Sequence, residues 1–203
     1  MTTTISGTSG VTFPAGGVGN PAGAVVGTTD TQTLTNKTLS TGLVMGVSAI
    51  TSGTAVASTS GTSIDFTSIP SWVKRITVML SGVSVSGTSN ILFQVGSGSI
   101  ISTGYNSESS RTSTAATVVL STAGIILFSG GATEVFHGLV TFCLLDSNKW
   151  VASYACGQIT PTGNGVFGGG STPALGGALD RIRITTVNGT DTFDAGSINI
   201  LYE

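Results

Sequence analysis

From Ser63 to Tyr202 one pattern recurs: a run rich in Val, Ile, Phe and Thr, then a cluster of turn formers, then another such run. The candidate strands are Ser63–Ile69, Val73–Val85, Ile91–Val95, Ala115–Ser121, Ile125–Phe128, Glu134–Leu145, Trp150–Ala155, Arg181–Val187 and Ser197–Tyr202. β-branched and aromatic residues of this kind suit a pleated, half-buried surface. Gly87-Thr88-Ser89-Asn90, Gly130-Gly131, Asp146-Ser147-Asn148 and Asn188-Gly189 separate the runs and carry turn chemistry. Strands in succession with no helix between them exclude βαβ units and predict an all-β sandwich or barrel. The expected fold is a jelly-roll-like antiparallel β-sandwich over residues 50–203, preceded by an extended, low-complexity N-terminal arm over 1–49. The run Val135–Leu145 is apolar on both alternating faces, so it should be covered on both sides, by a second sheet or by a neighbouring subunit.

The arm is set apart by its residues. Up to Asp65 the charged residues are Asp30 and Lys37 alone, and breakers such as Gly16-Gly17, Asn20-Pro21 and Gly23 interrupt any periodicity. Such a stretch has no core of its own, so order in it requires a partner. Two Gly- and polar-rich stretches interrupt the strand region: Thr103–Thr114 and Thr160–Leu179. Loops of that length in a compact domain are usually functional or mobile.

Composition narrows the chemistry. Ser (27), Thr (33) and Gly (30) fill 90 of the 203 positions, while Lys and Arg number 7, Asp and Glu 9, and His 1. The scattered cations give no basic patch for nucleic acid. No apolar run reaches the ~18 residues of a membrane-spanning helix, and Met1–Gly10 lacks the features of a secretory signal. With so few titratable groups, acid–base catalysis has little to work with. His137 lies mid-strand in an apolar run, the setting of a structural histidine; the alternative is three symmetry-related copies meeting around an ion. Asp180, Asp191 and Asp194 are the carboxylates a glycosidase could use, but they flank strands, where Asp is normally a turn former. Gly163-Asn164-Gly165-Val166-Phe167-Gly168 matches the dinucleotide fingerprint in form only, because Gly169, Gly170 and Pro173 prevent the helix that the chemistry needs. No cofactor or metal site is expected. Trp72 and Trp150 read as core or subunit-interface anchors. Placing Leu145 opposite Trp150 sets Cys143 opposite Ala152, too far from Cys156 for a disulfide, so both cysteines are expected to be buried free thiols, as in a reducing cytoplasm.

Two stretches carry a resemblance. Thr28-Thr29-Asp30-Thr31-Gln32-Thr33-Leu34-Thr35-Asn36-Lys37-Thr38-Leu39 resembles a segment that recurs in bacteriophage fibre proteins. Gly61–Phe66 together with Ile69-Pro70-Ser71-Trp72-Val73-Lys74-Arg75-Ile76-Thr77-Val78 resembles the opening of the β-sandwich module of phage tail fibres and head fibres, and Gly196–Glu203 resembles its closing strand. The resemblance implies a virion structural protein without enzymatic activity, assembled in the host cytoplasm as a homotrimeric fibre. Residues 1–30 would dock on capsid or tail proteins, with Ile5, Val11, Phe13, Val18, Val25 and Val26 as the apolar contacts. The sandwich would serve viral attachment to the host, presenting Tyr105, Asn106, Glu108, Arg111, Asn164 and Phe167 from the two polar loops to a cell-surface glycan. The other reading is a capsid decoration protein that recognises no host.

Overall fold

A computed structural model describes residues 4–6, 10–12, 50–113, 117–159 and 163–203. It is all-β and antiparallel. The chain divides into two units at Gly46/Val47. In the first, β1 (Thr4–Ser6) pairs with β2 (Gly10–Thr12), setting Ile5 opposite Val11. Phe13, Val18, Val25 and Val26 lie outside the described residues.

The second unit holds fourteen strands: β3 (Thr51–Ser52), β4 (Val56–Ala57), β5 (Ser63–Thr67), β6 (Arg75–Val85), β7 (Ile91–Ser97), β8 (Ser99–Ile100), β9 (Asn106–Arg111), β10 (Thr117–Ser121), β11 (Ile125–Leu127), β12 (Val135–Asp146), β13 (Lys149–Ile159), β14 (Asn164–Ser171), β15 (Arg181–Thr186) and β16 (Phe193–Tyr202). They form a nine-stranded sheet in the order β10-β9-β14-β13-β12-β6-β16-β3, with β4 also on β16. A five-stranded sheet runs β11-β7-β15-β5, with β8 on β7. The chain passes from one sheet to the other at β4–β5, β5–β6, β6–β7, β8–β9, β10–β11, β11–β12, β14–β15 and β15–β16. Those crossings make the two layers one folding unit with a shared core.

The core follows from alternation. On β12, Phe136, Val140 and Phe142 point inward; on β15, Ile182 and Ile184 do; on β7, Ile91, Phe93 and Val95 complete the opposite layer. Each of these eight side chains is fully buried. A Phe of this kind contributes about 3–5 kcal/mol against truncation to Ala.

One edge is closed without a strand. The β11 edge away from β7 meets side chains from the large sheet. Ser107 Oγ donates to Gly124 O (2.7 Å) and accepts from Ile126 N (3.2 Å). Ser109 Oγ accepts from Phe128 N (2.9 Å), and Tyr154 donates to Ile126 O. Buried backbone groups must find partners, and here neutral hydroxyls supply them. Tyr105 works similarly on β7, with its hydroxyl accepting from Val95 N (2.8 Å) and donating to Ile101 O (3.0 Å).

These phenols set an alkaline limit. Burial pushes Tyr105 from an ordinary 10.0 to about 12, and pushes Tyr154 up further. Keeping them neutral stabilises the fold fully below pH 10.0, and that stability is lost as pH rises through about 12. In an alkaline titration, phenolate absorbance from these two residues should appear only as the β-sheet circular dichroism disappears. Ionisation with the sheet signal intact would contradict this.

Several expectations change here. β9 and β14 occupy the stretches expected as loops, and both are interior strands of the large sheet. Cys156 is buried but Cys143 is exposed, because an irregularity between Leu144 and Asp146 shifts the hairpin, pairing Leu144 with Trp150 and Cys143 with Val151. The thiols remain unpaired. The outward face of β12 has no second sheet over it: His137, Leu139, Cys143 and Leu145 are exposed in the single chain, which leaves a neighbouring subunit as the expected cover.

Candidate functional site

Strand register gives the second unit two distinct ends. Thr51 pairs with Tyr202, and Tyr202 with Ile76, so the chain enters beside the start of β6. Call this the near end. The turns after Val85, Leu127 and Thr186 lie at the opposite, far end, since Thr186 pairs with Ile91 and Leu127 with the same residue.

The six residues expected to face a receptor separate between these regions. Tyr105 is 2% exposed, and its hydroxyl is used by β7 and the turn at Ile101, so it is a core residue. Its place on a polar run concealed this: the run is polar because it is an inside-facing seam. Asn106 begins β9 at the near end and is exposed. Glu108 and Phe167 lie on the outward face of the large sheet, with Phe167 46% exposed. Arg111 and Asn164 reach the far end, where β9 finishes and β14 begins.

At the far end Arg111 belongs to a polar cluster. Its guanidinium stands 3.2 Å from Glu134 Oε1 and 4.4 Å above the Phe128 ring. Glu134 Oε2 accepts from Gly130 N (2.6 Å) and from the fully buried Gln158 amide. The Asn164 amide lies 3.2 Å from Gln158 Oε1. Glu134 thus closes the 130–134 turn and anchors β9 to β13 across it. The acid, the base and the amides are spent on one another, which is a structural use of charge.

A second far-end cluster is built on Asn188, which the sequence suggested only as a turn. Asn188 Oδ1 accepts from Thr190 N and Asp191 N (both 3.0 Å), and Asp191 accepts from Ser89 N (3.0 Å). These bonds join the β6–β7 and β15–β16 turns into a rigid platform with Thr88, Ser89, Asn90 and Thr190 around it. Asp191 leaves no space at Gly87, where an added Cβ would lie 2.1 Å from its carboxylate.

The carboxylates weighed for glycoside hydrolysis divide between the two ends, with Asp194 next to Phe193 at the far end. Asp180 sits at the near end, bonded to Arg181 (2.7 Å) and to Gly98 N (3.1 Å); the Arg181 guanidinium holds its carboxyl below the usual range. Asp191 is at the far end, beyond the opposite end of β7. Among the described residues no group of three or more His, Cys, Asp and Glu is placed to hold a metal ion. His137 is exposed and accepts from Gly82 N at 3.2 Å. A near-end cavity beside Ser71, Lys74, Asn148 and Trp150 measures about 80 Å³, well below the ~300 Å³ at which small-molecule pockets begin. Trp150 is buried there as an anchor, whereas Trp72 is 53% exposed beside Tyr202.

No family model, curated protein or solved structure matches this chain.

Proposed function

We propose that the chain is a bacteriophage fibre protein: a homotrimer docked through residues 1–30 on capsid or tail proteins, with the sandwich presented for attachment to the host and no catalytic role. The observation that supports this best is the polarity of the second unit. The chain enters it at the near end, and a rigid platform of hydroxyl and amide groups stands at the far end. An attachment module needs that arrangement, with its tether and its contact surface at opposite ends of the strands.

Contact with a host glycan then falls to the exposed Thr88 and Thr190 and the neighbouring Asn90 rather than to Tyr105 or Asn106, while Arg111 and Asn164 stay tied into the Glu134 cluster. Neutral hydrogen bonds of this kind are weak singly and are multiplied by many copies on one particle. They should respond little to salt, because few charges take part.

The test uses particles that carry the chain. Crowding the platform with Thr88→Arg and Thr190→Arg should reduce adsorption to host cells by about tenfold or more, the avidity of one or more binding modules, with incorporation unchanged. Deleting residues 1–30 should abolish incorporation. Unchanged adsorption by the double variant, together with particles that lose heat resistance when the chain is absent, would instead identify a capsid decoration protein.

A further inference from the structure

We infer that the outward face of the nine-stranded sheet is the surface through which copies of this chain bind one another. This rests on the self-assembly in the reading above and names the surface that performs it.

Cross-strand register defines the face. One row runs Val118, Ser110, Phe167, Ala155, Leu139, Met79 and Asn199 across seven adjacent strands. Val118, Phe167 and Leu139 are 57%, 46% and 52% exposed. The next row is lower through its middle: Leu120 and Glu108, then Gly169, Ser153, Thr141 and Thr77. On the other side Gly165, Gly157 and His137 form a second low row. The large apolar members Val118, Phe167, Leu139 and Met79 thus share one row with the small Ser110 and Ala155 between them, and the Phe167 ring lies over Gly165. In a closed trimer the Val118–Phe167 side of this face meets the Leu139–Met79 side of the next copy, a heterologous contact repeated around the ring.

Charge placement separates this face from its counterpart. The outward side of the five-stranded sheet carries the ion pair Asp65–Arg183, with Asp180–Arg181 at its margin. On the large sheet's outward side Glu108 lies toward β10, while Asp146, Lys149 and Arg75 lie at the near end, with Arg75 engaged by Glu203. The middle of the large sheet's outward face, from Phe167 and Gly169 through Ala155, Ser153, Leu139 and Thr141 to Met79, is uncharged, with the charges at its margins, the pattern of an interface centre and its rim. The size is adequate. Seven strands ~4.8 Å apart and three side-chain rows ~7 Å apart give roughly 600 Å² per copy, or roughly 1,200 Å² buried in total, the lower bound of a standard stable interface. Exposed apolar patches of that extent on a single chain mark interaction sites.

Cys143 reports on the face directly. It lies one row beyond Thr141, at the margin of the face and beside Val151, and is exposed in the single chain. Cys156 is an internal control: it is buried, and burial pushes its thiol up to about 11. With the full chain, light scattering should show an oligomer in which Cys143 reacts with a maleimide about tenfold or more slowly than in a Leu139→Lys/Phe167→Lys variant, thiolate access being what sets the rate. That variant should run at lower mass with unchanged circular dichroism. Leu139→Thr/Phe167→Thr serves as the milder pair if the lysines prevent folding. A wild-type oligomer whose Cys143 reacts as fast as a thiol of the urea-unfolded chain would overturn the assignment of this face while leaving self-assembly standing. A wild-type monomer would overturn both.

Discussion

Gly168→Val should destabilise the sandwich by about 3 kcal/mol, the upper range for overpacking a tight site. Valine is one of the best strand formers and Gly168 lies within a strand, so propensity alone forecasts the opposite sign. The reason is the closed edge of β11. Tyr154 leans across Gly168 to reach Ile126 O, and a Cβ there would lie 2.4 Å from the Tyr154 hydroxyl and 2.4 Å from Glu108 O. Gly170 is constrained in the same way, 2.6 Å from Ser107 Cβ and 2.3 Å from Asn106 O. Two of these four neighbours are backbone and cannot rotate away. Urea unfolding monitored by Trp fluorescence measures the effect. Gly131→Ala is the control: an added Cβ meets nothing within 4 Å, so its change should stay within about 0.5 kcal/mol. Equal behaviour of the two variants would mean that β14 does not pack as described.

Glu134→Ala should cost about 3 kcal/mol, the lower part of the range for removing one partner of a buried ion pair. The side chains of Arg111 and Glu134 are only 21% and 10% exposed, so water cannot replace the lost carboxylate freely. Its removal also leaves Gly130 N and the fully buried Gln158 amide without their acceptor. Glu134→Gln should cost less, since an amide oxygen can still accept from one of those donors. The same unfolding assay ranks the two. If Glu134→Ala proved neutral, the cluster would be a solvated surface contact rather than a structural one.

Both predictions concern a region whose role the sequence concealed. The strands of the β5–β7, β12 and β15–β16 region announce themselves through alternation: Ile182 and Ile184 separated by Arg183, or Phe136 and Val140 with Phe142. β9 reads Asn-Ser-Glu-Ser-Ser-Arg and β14 reads Asn-Gly-Val-Phe-Gly-Gly-Gly-Ser. Neither has the large inward side chains that identify a strand, because the space they would fill is taken by Tyr154 from β13 and by the edge of β11. A strand whose inner face must be small looks like a loop. The one signal available was the two-residue spacing of Ser107 and Ser109, both buried, against exposed Asn106 and Glu108. The same substitution of hydroxyl for hydrocarbon put Tyr105 among the surface candidates. The one-residue slip at Cys143 had a different origin: the register shifts between Leu144 and Asp146, next to a turn in which Ser147 takes a positive φ. The platform at Asn188 was legible as a turn, but its union with Ser89, about a hundred positions earlier, needed the fold.

Most of the sandwich is held by ladders, in which neighbouring amides support one another and give way together. The seam between β9 and β11 is different, since each of its bonds depends on a separate side-chain torsion at Ser107, Ser109 or Tyr154. Ser107, Ser109 and Tyr154 are buried together with Ile125, Ile126 and Leu127, so these torsions are fixed by the packing around them. The two layers therefore have a latch as well as a core. Opening β11 then means opening the core, so its amides should exchange no sooner than those of the ladders beside it.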